Sequence, residues 1–294
     1  MRIVSLVPHA TEMLFALGLG DRVVGVTHEC DYPERTADIP KVTRDVLPSG
    51  LGPAEIDAAV KERTRAGEAI YVLDEKKVRE LAPDLIVTQE LCPVCAVSYD
   101  EVKELAERID PCPKVVSLDP KTFGETMADI RRLAEVAEVE DAAEALVARQ
   151  TARVDRVLEA LDGVERRTVA AIEWLDPVYV AGHWTPQLIE MAGGVDVLGF
   201  AGESSTQSDW EAVAAARPEV LLCIPCGYDA QAGLEQARRY QEQLRSTGAR
   251  EILVLDASAY FSRPGPRLVD GLETLAHALH PDRVPEAPGE VLRL

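Results

Sequence analysis

One phrase of this chain occurs twice. Thr11-Glu12-Met13-Leu14, Leu17-Gly18-Leu19-Gly20 and Val23-Val24-Gly25 read as helix, turn and strand. Pro186-Gln187-Leu188-Ile189, Ala192-Gly193-Gly194 and Val197-Leu198-Gly199 repeat that phrase at nearly the same spacing. A second pair follows the same order: Leu81-Ala82-Pro83-Asp84-Leu85-Ile86-Val87 is echoed by Ala216-Arg217-Pro218-Glu219-Val220-Leu221-Leu222. A duplicated α/β pattern predicts two similar lobes, and two lobes imply a cleft of the kind small molecules occupy. At 294 residues the chain is long enough to build a core in each.

Short β-branched runs bounded by turn residues read as buried parallel strands. In the first half these are Ile3 to Val7, Val23 to Val26, Ile70 to Leu73, Leu85 to Thr88 and Val115 to Leu118. In the second half they are Val169 to Ile172, Val220 to Ile224 and Ile252 to Leu255. Asp141 to Asp162 carries apolar residues at helical spacing and almost no Gly or Pro, which predicts one helix roughly 33 Å long at 1.5 Å per residue. The expected fold is α/β, with mostly parallel sheets in two lobes joined by that single long helix. The expected division is an N-terminal lobe over 1–120, a linking helical segment over 121–163 and a C-terminal lobe over 164–294. The Pro-, Glu- and Gly-rich tail after Pro281 is expected to be a surface extension.

A net charge of -20 argues against nucleic acid or an anionic membrane as partner. No apolar run is long enough to span a bilayer. Met1-Arg2 leads directly into the first strand, without the apolar region of a secretory signal, so the sequence predicts a cytoplasmic protein. Six cysteines in a chain of this length do not make a disulfide scaffold; they read as thiols, metal ligands or redox groups.

In parallel α/β sheets, ligands bind beyond the carboxyl ends of the strands. The loops there hold Pro8 and His9, then His28, Cys30 and Tyr32, then Glu90, Cys92 and Cys95 in the first lobe. In the second they hold Trp174, His183, Trp184, Cys226, Tyr228, Tyr260, Phe261 and Arg263. Counted from the repeat prolines, Cys223 matches Thr88 and Cys226 matches Leu91, next to Cys92. Cys30, Cys92, Cys95 and Cys226 are therefore candidate thiolate ligands for zinc or an iron–sulfur cluster, converging across the cleft with an imidazole. Buried cysteine is also a small hydrophobe, and that is the expected role of Cys112 and Cys223. No Ser-His-Asp arrangement, phosphate loop or carboxylate pair supports hydrolysis or phosphoryl transfer, so the chain reads as non-catalytic.

The opening Arg2-Ile3-Val4-Ser5-Leu6-Val7-Pro8-His9-Ala10-Thr11-Glu12 resembles that of the cobalamin-binding proteins of ABC importers. Asp31-Tyr32-Pro33, Ala181-Gly182, Gly193-Gly194 and Phe261-Ser262-Arg263 with Pro266-Arg267 are similar too, in the same order along the chain. The resemblance implies the class III substrate-binding architecture: two Rossmann-like lobes joined by one long helix, with cobalamin, another corrinoid, haem or a ferric chelate between them. On that reading the aromatic residues above stack on the macrocycle, His9, His28 or His183 contacts it or its metal, and Arg263 pairs with a polar oxygen of the ligand. The resemblance further implies docking on an importer through acidic residues. Glu211 matches in the second lobe, and the first-lobe equivalent falls near Tyr99-Asp100.

Overall fold

The computed structural model describes residues 1–48, 50–90 and 97–294. It divides into two compact units: unit 1 is Met1–Pro120 with Met127–Val147, and unit 2 is Lys121–Thr126 with Ala148–Leu294.

Unit 1 runs through β1 (Ile3–Ser5), α1 (Pro8–Ala16), β2 (Val23–Val26), β3 (Thr43–Asp45), α2 (Pro53–Arg65) and β4 (Tyr71–Leu73). It continues with α3 (Glu75–Leu81), β5 (Leu85–Thr88), α4 (Tyr99–Glu107) and β6 (Lys114–Ser117). Its main sheet is wholly parallel, in the order β2-β1-β5-β6. Val4, Ile86, Val102 and Leu105, all with no more than 1% of their surface exposed, pack helix against sheet. Ile70 to Leu73, expected in this sheet, instead gives β4, which pairs antiparallel with β3 as a separate ribbon.

Two helices follow, α5 (Phe123–Ala137) and α6 (Glu140–Ala160). The long helix read from the sequence is α6, 21 residues, and it passes unbroken through the division at residues 147 and 148.

Unit 2 contains β7 (Arg167–Leu175), β8 (Val178–Val180), α7 (Thr185–Met191), β9 (Gly194–Asp196), β10 (Thr206–Gln207) and α8 (Trp210–Ala215). Then come β11 (Val220–Cys223), α9 (Ala230–Arg239), α10 (Gln241–Ser246), β12 (Glu251–Val254), α11 (Ala257–Tyr260), α12 (Leu268–Leu279) and β13 (Leu292–Arg293). Strands β9, β7, β11 and β12 pair in parallel, while β8, β10 and β13 add antiparallel edges. Two apolar clusters cover the faces of this sheet, one centred on Val169, Leu222 and Leu272, the other on Ile172, Leu221 and Val254.

The repeat holds at the level of backbone geometry. β1-α1-β2 and β7-α7-β9 are the same unit, each ending its helix at a glycine, Gly18 or Gly193, with φ of 79°. The residues before the repeat prolines, Ala82 and Arg217, are both left-handed, with φ of 42° and 49°. Asp74 caps α3 by accepting from the Lys77 amide, and Asp209 caps α8 by accepting from the Ala212 amide. One register differs from expectation: β9 starts at Gly194, three residues before the Val197-Leu198-Gly199 phrase. The Asp196 carboxylate accepts from the Leu198 and Gly199 amides, and that turn ends the strand. The tail is also more than a surface extension, because β13 pairs with β12 along the sheet edge.

Candidate functional site

In each unit the carboxyl ends of the parallel strands form one rim, and most of the predicted residues lie on it. In unit 1, the chain leaving β2 folds around Thr43: the Thr27 hydroxyl lies 2.8 Å from its Oγ1 and His28 Nδ1 lies 2.7 Å away. The His28 ring leans on Tyr71 with centroids 5.1 Å apart, and the Tyr71 hydroxyl donates to Glu29. Tyr32 is 48% exposed. Glu90 is exposed too; its amide donates to Asp119, whose other oxygen takes the Ser117 hydroxyl. Pro8 begins α1 and is partly exposed. His9 is 2% exposed, inside the first turn of α1, which places it in the core and off the rim.

Unit 2 gathers more. β7 runs past the ends of its parallel neighbours: β11 stops at Cys223, opposite Ile172, while β7 continues through Glu173 and Trp174. A bulge between Ile172 and Trp174, where β7 meets β8, sets Glu173 out of regular pairing. The Glu173 carbonyl accepts from the Cys226 amide, which ties the β11–α9 loop to the strand. Trp174 and Tyr228 face each other with centroids 6.2 Å apart and planes at 54°. The Trp174 indole N–H donates to the Asp176 carbonyl.

Beside them, Gly182 and His183 are drawn onto the 202–205 loop. The His183 amide donates to the Glu203 carbonyl at 2.6 Å, and the Gly202 amide donates to the His183 carbonyl at 2.9 Å. The Gly182 amide donates to Ser205 Oγ. This approach requires glycine at 182, since a Cβ there would lie 2.8 Å from Ser204 C and Ser205 N. It also holds His183 at φ 52°, a left-handed conformation that nonglycine residues seldom adopt.

Burial, not charge, sets the electrostatics of this corner. Only part of Glu173 is open to solvent, and burial pushes its carboxyl up to about 7 against an opposing hydrogen bond with Ser205. Burial first, and then the charge of Lys121, pushes His183 down. Burial pushes Tyr228 up. Each shift favours the uncharged form. At the β12 end, burial raises Asp256 against the amide of Ala259 and the positive charges of Arg267 and Arg263.

Three of the predicted aromatic contacts have other work. Trp184 is 7% exposed and Phe261 is 4% exposed, both in the main core of unit 2, and the Trp184 indole N–H donates to the Phe261 carbonyl at 2.8 Å. That bond satisfies the one polar atom of a buried indole, so these two residues seal the sheet end. Tyr260 is turned inward against α12 and the tail; a Cβ on Gly271 would lie 2.8 Å from its carbonyl oxygen, and one on Gly289 would lie 2.5 Å from its ring. The part-exposed Arg263 sits in the turn that follows.

The thiolate cluster is not assembled among the described residues, where no group of three or more His, Cys, Asp or Glu side chains could hold a metal ion. Cys92 and Cys95 lie outside the described residues. Cys30 is buried in unit 1 with its sulfur 3.0 Å from Thr11 Oγ1, while Cys226 is exposed on a loop of unit 2. Cys223 is the small core residue expected, its thiol pushed up to about 12 by burial; Cys112 is exposed instead.

Glu211 lies exposed in the first turn of α8. The matching aspartate caps fix its counterpart in unit 1. Two residues after Asp74, as Glu211 is two after Asp209, stands the exposed Lys76 of α3, and not Tyr99-Asp100, which begin the next helix.

Among the described residues no helix is long and apolar enough to cross a membrane. The family model described as periplasmic binding protein matches residues 3–251. An uncharacterised ABC transporter substrate-binding lipoprotein of Bacillus subtilis is 26% identical over 97% of this chain and 82% of its own length. The vitamin B12-binding protein of Vibrio cholerae is 23% identical over 92% of this chain and 86% of its own. The solved periplasmic heme-binding protein from Roseiflexus sp. RS-1 superposes with a TM-score of 0.69 at 25% identity, over 96% of this chain and 98% of that one. These relatives correct the expectation of a cytoplasmic protein, since the family and its solved members are periplasmic or lipoprotein binding proteins. Matched over most of its length, the chain belongs to the periplasmic binding protein family, whose members are substrate-binding proteins of ABC transporters and not enzymes.

Proposed function

We propose that this protein binds a corrinoid of the cobalamin type at the strand-end rim of unit 2. The observation that carries the reading is the Trp174–Tyr228 pair, two tilted aromatic faces held beside the rim by the Asp176 carbonyl and the β11–α9 loop. Aromatic faces of this size gain from area burial against a flat macrocycle, and Arg263 offers a fork of donors to its polar periphery. The vitamin B12-binding relative supports the same ligand class. Glu211 is proposed for docking on an importer.

Spectrophotometric titration with hydroxocobalamin and with hemin tests this. The corrin bands should shift on mixing, survive desalting, and weaken at least about tenfold in Trp174→Ala with little change in melting temperature. Loss of hydroxocobalamin on desalting overturns the proposal. A second reading is haem, supported by the heme-binding structural relative and by His183, whose neutral imidazole suits iron. Retention of hemin alone would select it.

A further inference from the structure

Glu173 is the one carboxyl set into the corner formed by the β7 bulge, Gly182, His183 and Ser205. The sequence alone gives it no role. It interrupts an otherwise apolar strand interior, Val169 to Ile172, one residue before the aromatic pair. We propose that Glu173 sets the ligand specificity of this rim, donating a hydrogen bond from its protonated carboxyl to an amide carbonyl of the ligand and disfavouring a carboxylate at the same place. This inference rests on the corrinoid reading and goes beyond it by naming the functional group selected.

Three observations point this way. The corner is lined by polar atoms without formal charge: the Ser205 hydroxyl, the Gly182 amide and the half-buried imidazole of His183. The titratable groups around it are Tyr179 on β8, His183 between β8 and α7, Tyr228 after β11 and, acting on His183, Lys121 ahead of α5. His183 and Tyr228 are both shifted toward their uncharged forms, and no cation offsets the burial of Glu173. A carboxyl so placed keeps its proton near neutral pH and becomes a donor. A ligand carboxylate brought there loses its water beside a second, buried carboxyl, which is costly. Of the neighbouring cations, Lys121 acts on His183, and Arg263 and Arg267 act on Asp256.

The test compares wild type and Glu173→Gln, whose amide keeps a donor at every pH. The probes are hydroxocobalamin and its derivative with one side-chain amide hydrolysed to the carboxylate. For wild type, affinity for hydroxocobalamin should fall about tenfold from pH 6 to pH 8, the change in the protonated fraction of a carboxyl titrating at about 7. In Glu173→Gln it should change by less than about twofold, and the carboxylate derivative should gain on hydroxocobalamin at pH 8. Infrared titration of the ligand-free wild type should show a protonated carboxyl with a midpoint near neutrality that the variant lacks. Equal wild-type affinity at both pH values, a pH dependence that survives in the variant, or no such carboxyl in the infrared titration overturns the inference alone. Failure of wild type to retain hydroxocobalamin at either pH overturns the corrinoid reading and this inference together.

Discussion

Trp174 and Trp184 stand ten residues apart, and the indole of Trp184 finds its polar partner in the core while that of Trp174 bonds the Asp176 carbonyl two residues on. Replacing Trp184 with Phe leaves the Phe261 carbonyl without its donor, and should cost about 1–3 kcal/mol, measured by denaturant unfolding. Glu173 gives a second residue-scale test. Its carboxyl titrates at about 7 in the fold against an ordinary 4.5, so the fold prefers the protonated form. The stability this contributes is complete below pH 4.5 and is lost as the pH rises through 7. Glu173→Gln should therefore leave stability nearly unchanged at pH 4 and raise it at pH 8 by on the order of 3 kcal/mol, given 1.36 kcal/mol per pKa unit. Thermal unfolding of the two proteins across that range measures it. A charged residue within the otherwise apolar stretch Val169 to Leu175 is the visible signal for Glu173. The sequence favours Trp174 over Trp184 for ligand contact but does not show the core role of Trp184, which depends on the carbonyl its indole reaches.

Elements were legible in proportion to their burial. The strands β1, β2, β5, β6, β7, β11 and β12 are short apolar runs between turn residues, and each was found within a few positions. Of the strands that escaped, Val178-Tyr179-Val180 is apolar but only three residues long, while Thr43-Arg44-Asp45, Thr206-Gln207 and Leu292-Arg293 carry little apolar periodicity and lie at edges or in a separate ribbon. They pair because a neighbour offers a free edge, a property of the fold and not of their residues. Helix caps obey the opposite logic, being local and duplicated. Asp74→Ala and Asp209→Ala should each cost about 1 kcal/mol, equal within error, in urea unfolding of the two variants. The turn at Gly182 is tighter. Gly182→Ala drives a methyl into the 203–205 backbone and should destabilise unit 2 by about 1–3 kcal/mol, with loss of hydrogen-exchange protection at the His183 amide.

For the molecule as a whole, the net charge of -20 opposes compaction. Salt should raise the melting temperature between 10 and 300 mM sodium chloride, more at pH 8 than at pH 5, as calorimetry can show. The division into units has a further consequence. The chain passes from unit 1 to unit 2 after Pro120, returns after Thr126 and leaves again after Val147, so the first turn of α5 belongs with unit 2 and the rest of that helix with unit 1. No single cut yields both units intact, because each is built from two stretches that alternate along the chain. Gene fission at this junction would therefore leave at least one of the two products short of a stretch its own core is built with.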